Sequence, residues 1–383
     1  MMRGRFAAPR GTVYQMRAVL RLLRFALATA ALIALTRLIH PADIARARDL
    51  IGRVGWPLAL VLIPTLVTMA MDAAGWRLIL AVLGRPVAWR RMLELRLSVE
   101  AVTLALPGGS AAAEGIKLAL LRRRLGVPIA VGGASLALGK GYLIGAEALY
   151  LAMAAVWLTL DAASRLHGAP MGGPILADAA GAVLTTLISG ALFFALRKAT
   201  WATWLGRRLA ALPIPSLRRW IESRRSGLVD LESAARDFFL APLARRLRSI
   251  VPFLCEWLAE AVETWLILRC LGVSLDVGSV LTLDGIGSLL RALVFFLPAG
   301  LGVQDASQML LLGALGVPDP VAVGAAFIFV KRSKEVFWIA AGALFLAFRK
   351  DLWQRTATAR ADRGLRRAVC SAETAVSPKA DRS

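Results

Sequence analysis

Seven charged residues lie inside apolar stretches of the chain, and their side chains are the best candidates for chemistry. A charged group costs about 2.5–3.5 kcal/mol near the centre of a membrane-spanning helix, so it is a functional candidate by default. Within a membrane such groups pair with one another or line pathways for protons and substrates. The seven residues are Asp72, Glu100, Glu147, Glu256, Glu260, Glu263 and Arg291.

Three of these acids, Glu256, Glu260 and Glu263, share one face of a predicted helix because they follow the spacing i, i+4, i+7. One interpretation is that they pair with basic loop residues at the inner membrane surface. The other is that they form a proton or headgroup site that faces a cavity. The sequence leaves both interpretations open.

A stretch of the chain occurs twice, with a turn, an acid, a second turn and a cation in the same order. In both copies the acid follows the first proline by seven residues, and the cation follows the glycine of Ala-Val-Gly by eight. We interpret the match as an internal duplication. The first copy is Leu106-Pro107-Gly108-Gly109, Glu114, Leu125-Gly126-Val127-Pro128, Ala130-Val131-Gly132 and Lys140; the second is Leu297-Pro298-Ala299-Gly300, Asp305, Leu315-Gly316-Val317-Pro318, Ala322-Val323-Gly324 and Lys331-Arg332.

The repeat relates two of the charged residues. Glu100 and Arg291 each lie seven residues before the first proline of their own copy. An inverted pair of copies would bring such positions together, so we expect a buried Glu100–Arg291 pair.

The prolines and glycines of each copy begin short helical arms, and helix N-termini attract phosphate through unpaired N–H groups. Lys117, Lys140, Lys331 and Arg332 would add cationic contacts to an anionic or polar lipid headgroup. The alternative is that the glycines only allow the arms to pack closely. The two interpretations are compatible.

Composition identifies the class of protein. Of 383 residues, 58% are hydrophobic, whereas soluble domains have about 45–50% apolar residues. The net charge of +22 does not indicate nucleic-acid binding, because the basic residues flank apolar runs as cytoplasmic loops do. We expect membrane lipids and membrane proteins as partners, and no nucleic acid.

The sequence gives little support for catalysis or metal binding. Cys255, Cys270 and Cys370 lack metal-ligand spacing, and the only histidines are His40 and His167. Gly-x-Ser-x-Gly and P-loop patterns are absent. We therefore expect no metal, no cofactor and no enzymatic activity.

The distribution of basic residues predicts the topology. Six full spans, near residues 25–39, 56–83, 128–160, 175–196, 250–271 and 321–348, would alternate with two re-entrant hairpins that each bend at a repeated proline. Both termini would be cytoplasmic, with the first span an uncleaved signal anchor. The hairpins would enter from opposite faces as an inverted repeat, which is typical of transporters.

The predicted architecture is thus an all-α polytopic membrane protein. A basic N-terminus, 1–17, precedes a transmembrane domain, 18–348, and a basic disordered tail, 349–383, follows it. The halves of that domain, about 18–196 and 250–348, are joined by a basic cytoplasmic connector, 197–249. Its interleaved aromatic residues favour helices at the membrane interface over RNA binding.

The two motifs resemble a known family. The residues are Leu106-Pro107-Gly108-Gly109 with Glu114 and Lys117, and Leu297-Pro298-Ala299-Gly300-Leu301-Gly302-Val303-Gln304-Asp305 with Lys331-Arg332. Over about residues 15–348 the chain is similar to the flippase-like transmembrane domain family, which includes the membrane half of lysylphosphatidylglycerol synthases. The second motif is most similar to hopanoid-associated bacterial transporters. Asp305, Ala299 and Lys117 depart from the usual Glu, Gly and Arg.

The resemblance implies a lipid-handling protein of the bacterial inner membrane, with hopanoids as one class of ligand. It also implies that Gly302 and Gln304 belong to the headgroup site. We expect no soluble aminoacyl-transferase domain after Arg349, so the synthase activity is not carried over. The leading function is a lipid translocase or lipid-binding transporter. The alternatives are a membrane subunit with a separately encoded catalytic partner, and a scaffold for envelope assembly.

Overall fold

The chain is helical wherever its structure is described. The computed structural model describes residues 41–105, 109–164, 172–198, 200–211, 215–223, 225–293 and 303–348, and within those ranges it contains no β-strand. The predicted all-α fold class is confirmed. The first predicted span and the basic tail lie outside the described residues, as do the prolines of both hairpins.

The helices follow one another with short connections, and a 3₁₀ turn, Trp56–Val61, leads into the second helix. Their bounds are α1 Pro41–Val54, α2 Leu62–Val82, α3 Trp89–Ala105, α4 Gly109–Leu125, α5 Ile129–Ser164, α6 Gly172–Arg197, α7 Trp201–Ala210, α8 Pro215–Glu222, α9 Arg225–Leu240, α10 Leu243–Arg248, α11 Ile250–Cys270, α12 Val277–Leu293, α13 Val303–Ala314 and α14 Pro320–Phe348.

Three described segments are long and apolar enough to cross a membrane: Trp56–Val82, Ile129–Leu160 and Ile175–Arg197. They coincide with three of the predicted spans. The third exposes a row of large apolar side chains, such as Leu187 and Phe194, and water would not accommodate such a surface. The chain is therefore a polytopic membrane protein.

Two further helices occupy the predicted spans 250–271 and 321–348, but they carry more charge. Helix α11 contains three glutamates and Arg269, and α14 contains Lys331, Arg332, Lys334 and Glu335. Their length fits a membrane crossing at about 1.5 Å per residue. The buried members of these charged sets require partners inside the bundle.

Glycines in the left-handed region end several helices at corresponding places in the two halves. Gly84 after α2 and Gly272 after α11 have φ values of 71° and 81°, and the repeated turn glycines Gly126 and Gly316 have 66° and 76°. Only glycine adopts this conformation without steric cost. The repeat is therefore matched in backbone geometry as well as in sequence.

The buried side chains of the described residues form three large clusters and a small one. The first packs α2, α3 and α4 around Trp76 and Met92. The second packs α1 of the first half against α11, α12, α13 and α14 around Leu312 and Phe327. The small one joins α5 to α9. Tyr142, Tyr150, Phe253 and their neighbours fill the centre, where α5 meets α11 and α12.

The short arm of each copy packs on the glycine of Ala-Val-Gly in the long helix that follows. A Cβ added at Gly132 would lie 2.7 Å from a methyl group of Leu118, and one added at Gly324 would lie 2.6 Å from Cγ of Met309. Leu118 and Met309 each follow the acid of their copy by four residues. These glycines allow close helix packing. The close packing predicted for the turn glycines, such as Gly108 and Gly300, lies outside the described residues and stays a prediction.

Replacement of Gly324 by alanine should lower thermal stability. The new methyl group would meet side-chain atoms of Met309 and also its Cα, at 3.2 Å, so α13 and α14 would have to separate. Overpacking of this kind costs about 1–3 kcal/mol. The measurement is thermal unfolding of purified protein in detergent. Gly190→Ala is the control, since nothing lies within 4 Å of its added Cβ, and equal melting temperatures for the two variants would contradict the packing argument.

The inverted arrangement predicts that corresponding positions of the two copies label from opposite sides of the membrane. Arg123 and Ala314 lie near the ends of α4 and α13, and both are exposed. In a variant without native cysteines, we expect an impermeant thiol reagent added outside intact cells to modify Ala314→Cys but not Arg123→Cys. Permeabilisation should make both react. Labelling of both positions from one side in intact cells would exclude inverted copies.

Candidate functional site

The acid and the cation at matched positions of the repeat form an ion pair in each half. In the first copy, Lys140 Nζ of α5 lies 3.1 Å from Glu114 Oε1 of α4. In the second copy, Nη2 of Arg332 in α14 lies 2.8 Å from Oδ1 of Asp305 in α13. Each ion pair joins the short arm to the long helix that follows it. The repeated glycine of Ala-Val-Gly brings the same two helices together.

In the first half, this pair belongs to a larger polar network. Lys117 Nζ lies 3.3 Å from Glu114 Oε1 and 3.7 Å from Asp72 Oδ2. Arg96 of α3 then bonds to Asp72 at 2.5 Å and also to Glu100. The ion-paired members are three acids and three cations, drawn from α2, α3, α4 and α5. Their charges balance, which limits the cost of placing them in a low-dielectric interior.

A small cleft opens onto this network between α2, α4 and α5. Asp72, Glu114, Lys117 and Lys140 supply its charged walls, and Trp76 supplies an aromatic one. Lys117 Nζ lies 5.5 Å from the centroid of the Trp76 ring, a cation–π distance. The side chain of Lys140 is 47% exposed, whereas that of Lys117 is 10% exposed. Lys140 is therefore the cation that a molecule arriving at the cleft would meet first.

The cleft has a volume of about 20 Å³, enough for a water molecule and too small for a lipid headgroup. Glu114 Oε2 is buried and has no hydrogen-bond partner, although Oε1 contacts both lysines. The cleft therefore has no room for a headgroup between its ion-paired side chains, and Oε2 of Glu114 lacks a hydrogen-bond partner.

In the second half, polar groups bridge several helices. Lys331 Nζ lies 3.4 Å from Asp284 Oδ1, and the Thr264 hydroxyl donates to the same oxygen at 2.9 Å. Arg332 bonds to Glu335 at 2.8 Å as well as to Asp305. Asp305 lies in the first turn of α13, where the helix dipole favours a negative charge.

The predicted acidic face of α11 divides into different environments. Glu263 is buried, accepts a hydrogen bond from Thr65 at 2.8 Å and bonds to Lys334 at 2.5 Å. Its partners are thus bundle helices rather than basic loops. Glu256 is half-buried, with Oε2 lacking a hydrogen-bond partner, and it interacts electrostatically with Asp72, Arg96 and Lys140. Glu260 is half-buried on the same face.

The remaining charged candidates are Glu100, Arg291 and Glu147. Glu100 is buried and pairs with Arg96, four residues earlier. Its predicted partner Arg291 lies on α12, but the Arg291 side chain is outside the described residues, so that pairing stays a prediction. Glu147 is buried in α5.

Part of the predicted headgroup site cannot be compared with the structure. Pro107, Gly108, Pro298, Gly300 and Gly302 lie outside the described residues. Gly109 and Gln304 lie at the N-terminal ends of α4 and α13, but the Gln304 side chain is not described. Phosphate binding at the N-termini of the hairpin arms therefore stays a prediction.

Several charged residues that the structure brings into these networks are not among the seven candidates that the sequence indicates. Arg96, Asp284 and Lys334 all lie in apolar or predicted membrane segments, so the rule that identified the seven charged candidates applies to them too. Asp178 and Thr282 were missed as well; both are buried, and the Thr282 hydroxyl donates to Asp178 Oδ2 at 2.5 Å. Nothing in the spacing indicates that last pair, which joins α6 to α12.

Comparison with known proteins gives a family. The family described as Lysylphosphatidylglycerol synthase TM region matches residues 21–330. No curated protein and no solved structure matches the chain. The matched residues include the first copy of the repeat and the second as far as Ala322-Val323-Gly324, ending just before Lys331, and they make up well over half of the sequence. The chain therefore belongs to the lysylphosphatidylglycerol synthase transmembrane family.

Proposed function

We propose that this protein is a lipid translocase or lipid-binding transporter of the bacterial inner membrane, which moves a polar or anionic lipid between leaflets. The observation that supports the proposal best is the pair of acid–cation contacts, Glu114–Lys140 and Asp305–Arg332, at matched positions of two halves. Two similar polar sites in one membrane bundle suit a substrate that is bound from either side in turn. The match to a lipid-related membrane family supports the same class of substrate.

The charge balance of the first network suggests how a headgroup would enter. Lys117 and Lys140 both contact Glu114, so an anionic headgroup must take the place of that carboxylate. Phosphate oxygens accept the same charge-assisted hydrogen bonds as a carboxylate does. Binding is therefore an exchange: the phosphate replaces Glu114 beside Lys140, and the cleft widens as α4 moves away from α5.

The second half would repeat the exchange with Asp305 and Arg332. If the copies face opposite sides, opening one contact and closing the other alternates access to the two leaflets. The lipid tails would remain in the bilayer while the headgroup crosses beside the polar side chains. Hopanoid lipids with polar headgroups are one substrate class that the sequence resemblance suggests.

The family description favours a second candidate, the membrane subunit of a lipid-modifying enzyme with a separately encoded catalytic partner. In that role the cleft would present a lipid to the partner's active site. The two candidates differ in whether the chain alone changes the distribution of lipid between leaflets.

Transport by the purified chain separates these candidates. We expect vesicles of phosphatidylglycerol and phosphatidylcholine that contain the protein to move fluorescent phosphatidylglycerol between leaflets faster than protein-free vesicles do. Loss of fluorescence after addition of a membrane-impermeant reductant measures the transfer, with and without a proton gradient. If the rates with and without protein are equal under both conditions, the translocase proposal is wrong and the subunit proposal is favoured.

If phosphate replaces Glu114 beside Lys140, substitutions of these two residues should change the affinity for lipid in opposite directions. Lys140→Gln removes a phosphate partner and should weaken binding of dioctanoyl phosphatidylglycerol by about fivefold to tenfold, since hydrogen bonds to charged groups contribute about 1.5–3 kcal/mol and Lys140 is half-exposed. Glu114→Gln removes the competing charge and should strengthen binding. Both variants should slow transport, because one binds too weakly and the other releases too slowly.

Calorimetry in detergent measures the affinities, with Arg122→Gln as the control. Arg122 is exposed on the same helix as Glu114 and does not line the cleft. The affinity of the Arg122→Gln variant for phosphatidylglycerol should therefore stay near that of the wild type. A purely structural pair would give lower stability and weaker binding in both variants. Weaker binding by Glu114→Gln would therefore contradict the exchange step.

A further inference from the structure

A second and larger cavity lies at the end of α6, away from the cleft of the proposed transport site. It has a volume of about 550 Å³ and lies between the end of α6, the end of α9 and the start of α10. Arg197, Arg236 and Arg246 contribute its cationic groups, and Phe193, Phe194 and Phe239 contribute its aromatic surface. Its size fits a small amphipathic ligand.

The three arginines come from three different helices. Among the described residues, no carboxylate makes an ion pair with Arg197, Arg236 or Arg246. Arg246 instead donates to the carbonyl of Ala241 at 3.0 Å and lies 5.9 Å from the centroid of the Phe239 ring. Converging cations without an internal counter-charge attract an anion from outside the chain.

The position of the cavity along α6 indicates what kind of anion it meets. Arg197 ends the apolar segment Ile175–Arg197, which places the arginines at the level where hydrocarbon gives way to headgroups. Phe194 and Leu240 beside them are exposed by 61% and 77%. An apolar surface below a cationic rim matches an anionic phospholipid, with its acyl chain on the aromatic side chains and its phosphate among the arginines.

Other occupants fit less well. The segments 1–40 and 349–383, which lie outside the described residues, are both basic, so their charge opposes binding beside three arginines. A free phosphate ion would match the arginines but would leave the aromatic surface unused.

We propose that this cavity binds one anionic phospholipid from the leaflet that faces the basic connector. The site is separate from the cleft at Lys140, and the lipid it holds is a bound component rather than transported cargo. Its binding does not depend on the translocase proposal. Such a lipid would fix α9 and α10 of the connector to the end of α6.

The test counts the lipids that remain on the intact chain. Native mass spectrometry of protein in a neutral detergent, titrated with phosphatidylglycerol, is compared between two triple variants of equal charge. Arg197→Gln, Arg236→Gln and Arg246→Gln together remove the cationic rim. The control combines Arg208→Gln, Arg245→Gln and Arg248→Gln, which are exposed on the same connector and do not line the cavity.

We expect the cavity variant to lose one tightly bound phosphatidylglycerol, with an apparent affinity at least about tenfold weaker, because each surface cation contributes measurably to anionic lipid binding. The control should stay within about twofold of the wild type. Equal losses of affinity in both variants would mean that general charge attraction holds the lipid, and would contradict a specific site in this cavity. If the cavity variant does not fold, Arg236→Gln alone should weaken binding by about threefold, and an unchanged affinity would also overturn it.

Two competitors distinguish the source of the anion. Phosphatidylcholine and inorganic phosphate should each fail to displace the bound phosphatidylglycerol, since the first lacks net charge and the second lacks acyl chains. Displacement by inorganic phosphate would identify a soluble-anion site, and displacement by phosphatidylcholine would identify an apolar groove. Either result would contradict the proposal, while the transport assay remains an independent test of the translocase.

Discussion

The arrangement of the helices depends on the pairing of carboxylates inside the bundle with cations, because little water reaches those carboxylates. Glu114, Asp305 and Glu263 each face a cation from another helix. Removing one member of a buried pair such as Glu263–Lys334 leaves an uncompensated charge, which costs about 3–5 kcal/mol. The Glu114–Lys140 pair costs less to break, because Lys140 is half-exposed. The pairs therefore fix which helices are neighbours, and the repeated glycines Gly132 and Gly324 let those neighbours approach closely enough to pair.

The two halves use this constraint in similar and in different ways. Both join a short arm to the following long helix through an acid, a cation and a glycine. In the first half the pair extends through Lys117 to Asp72 and Arg96. In the second half Arg332 also contacts Glu335, and the contacts Lys331–Asp284 and Lys334–Glu263 are separate from that pair. Two stretches with the same sequence pattern thus have different polar surroundings.

The sequence predicted those features that depend on short-range pattern. Apolar length located three spans, and matched offsets identified the residues of both repeated pairs before any partner was known. It could not predict partners that depend on the rotation of one helix against another, such as Glu263 with Lys334 or Asp178 with Thr282. Glu100 illustrates a further reason. The symmetry of the repeat favoured Arg291 as its partner, whereas Arg96 lies four residues earlier on the same helix, at a spacing that brings side chains together.

The narrowness of the first cleft has a consequence for the cell that contains this protein. Its 20 Å³ hold about one water molecule, too little water to surround the charged groups that line the cleft. A membrane that stores energy as an ion gradient would lose it through a permanently open polar groove. If the cleft opens by the proposed exchange, its ion pairs would limit that leak to the time during which a headgroup occupies the place of a carboxylate.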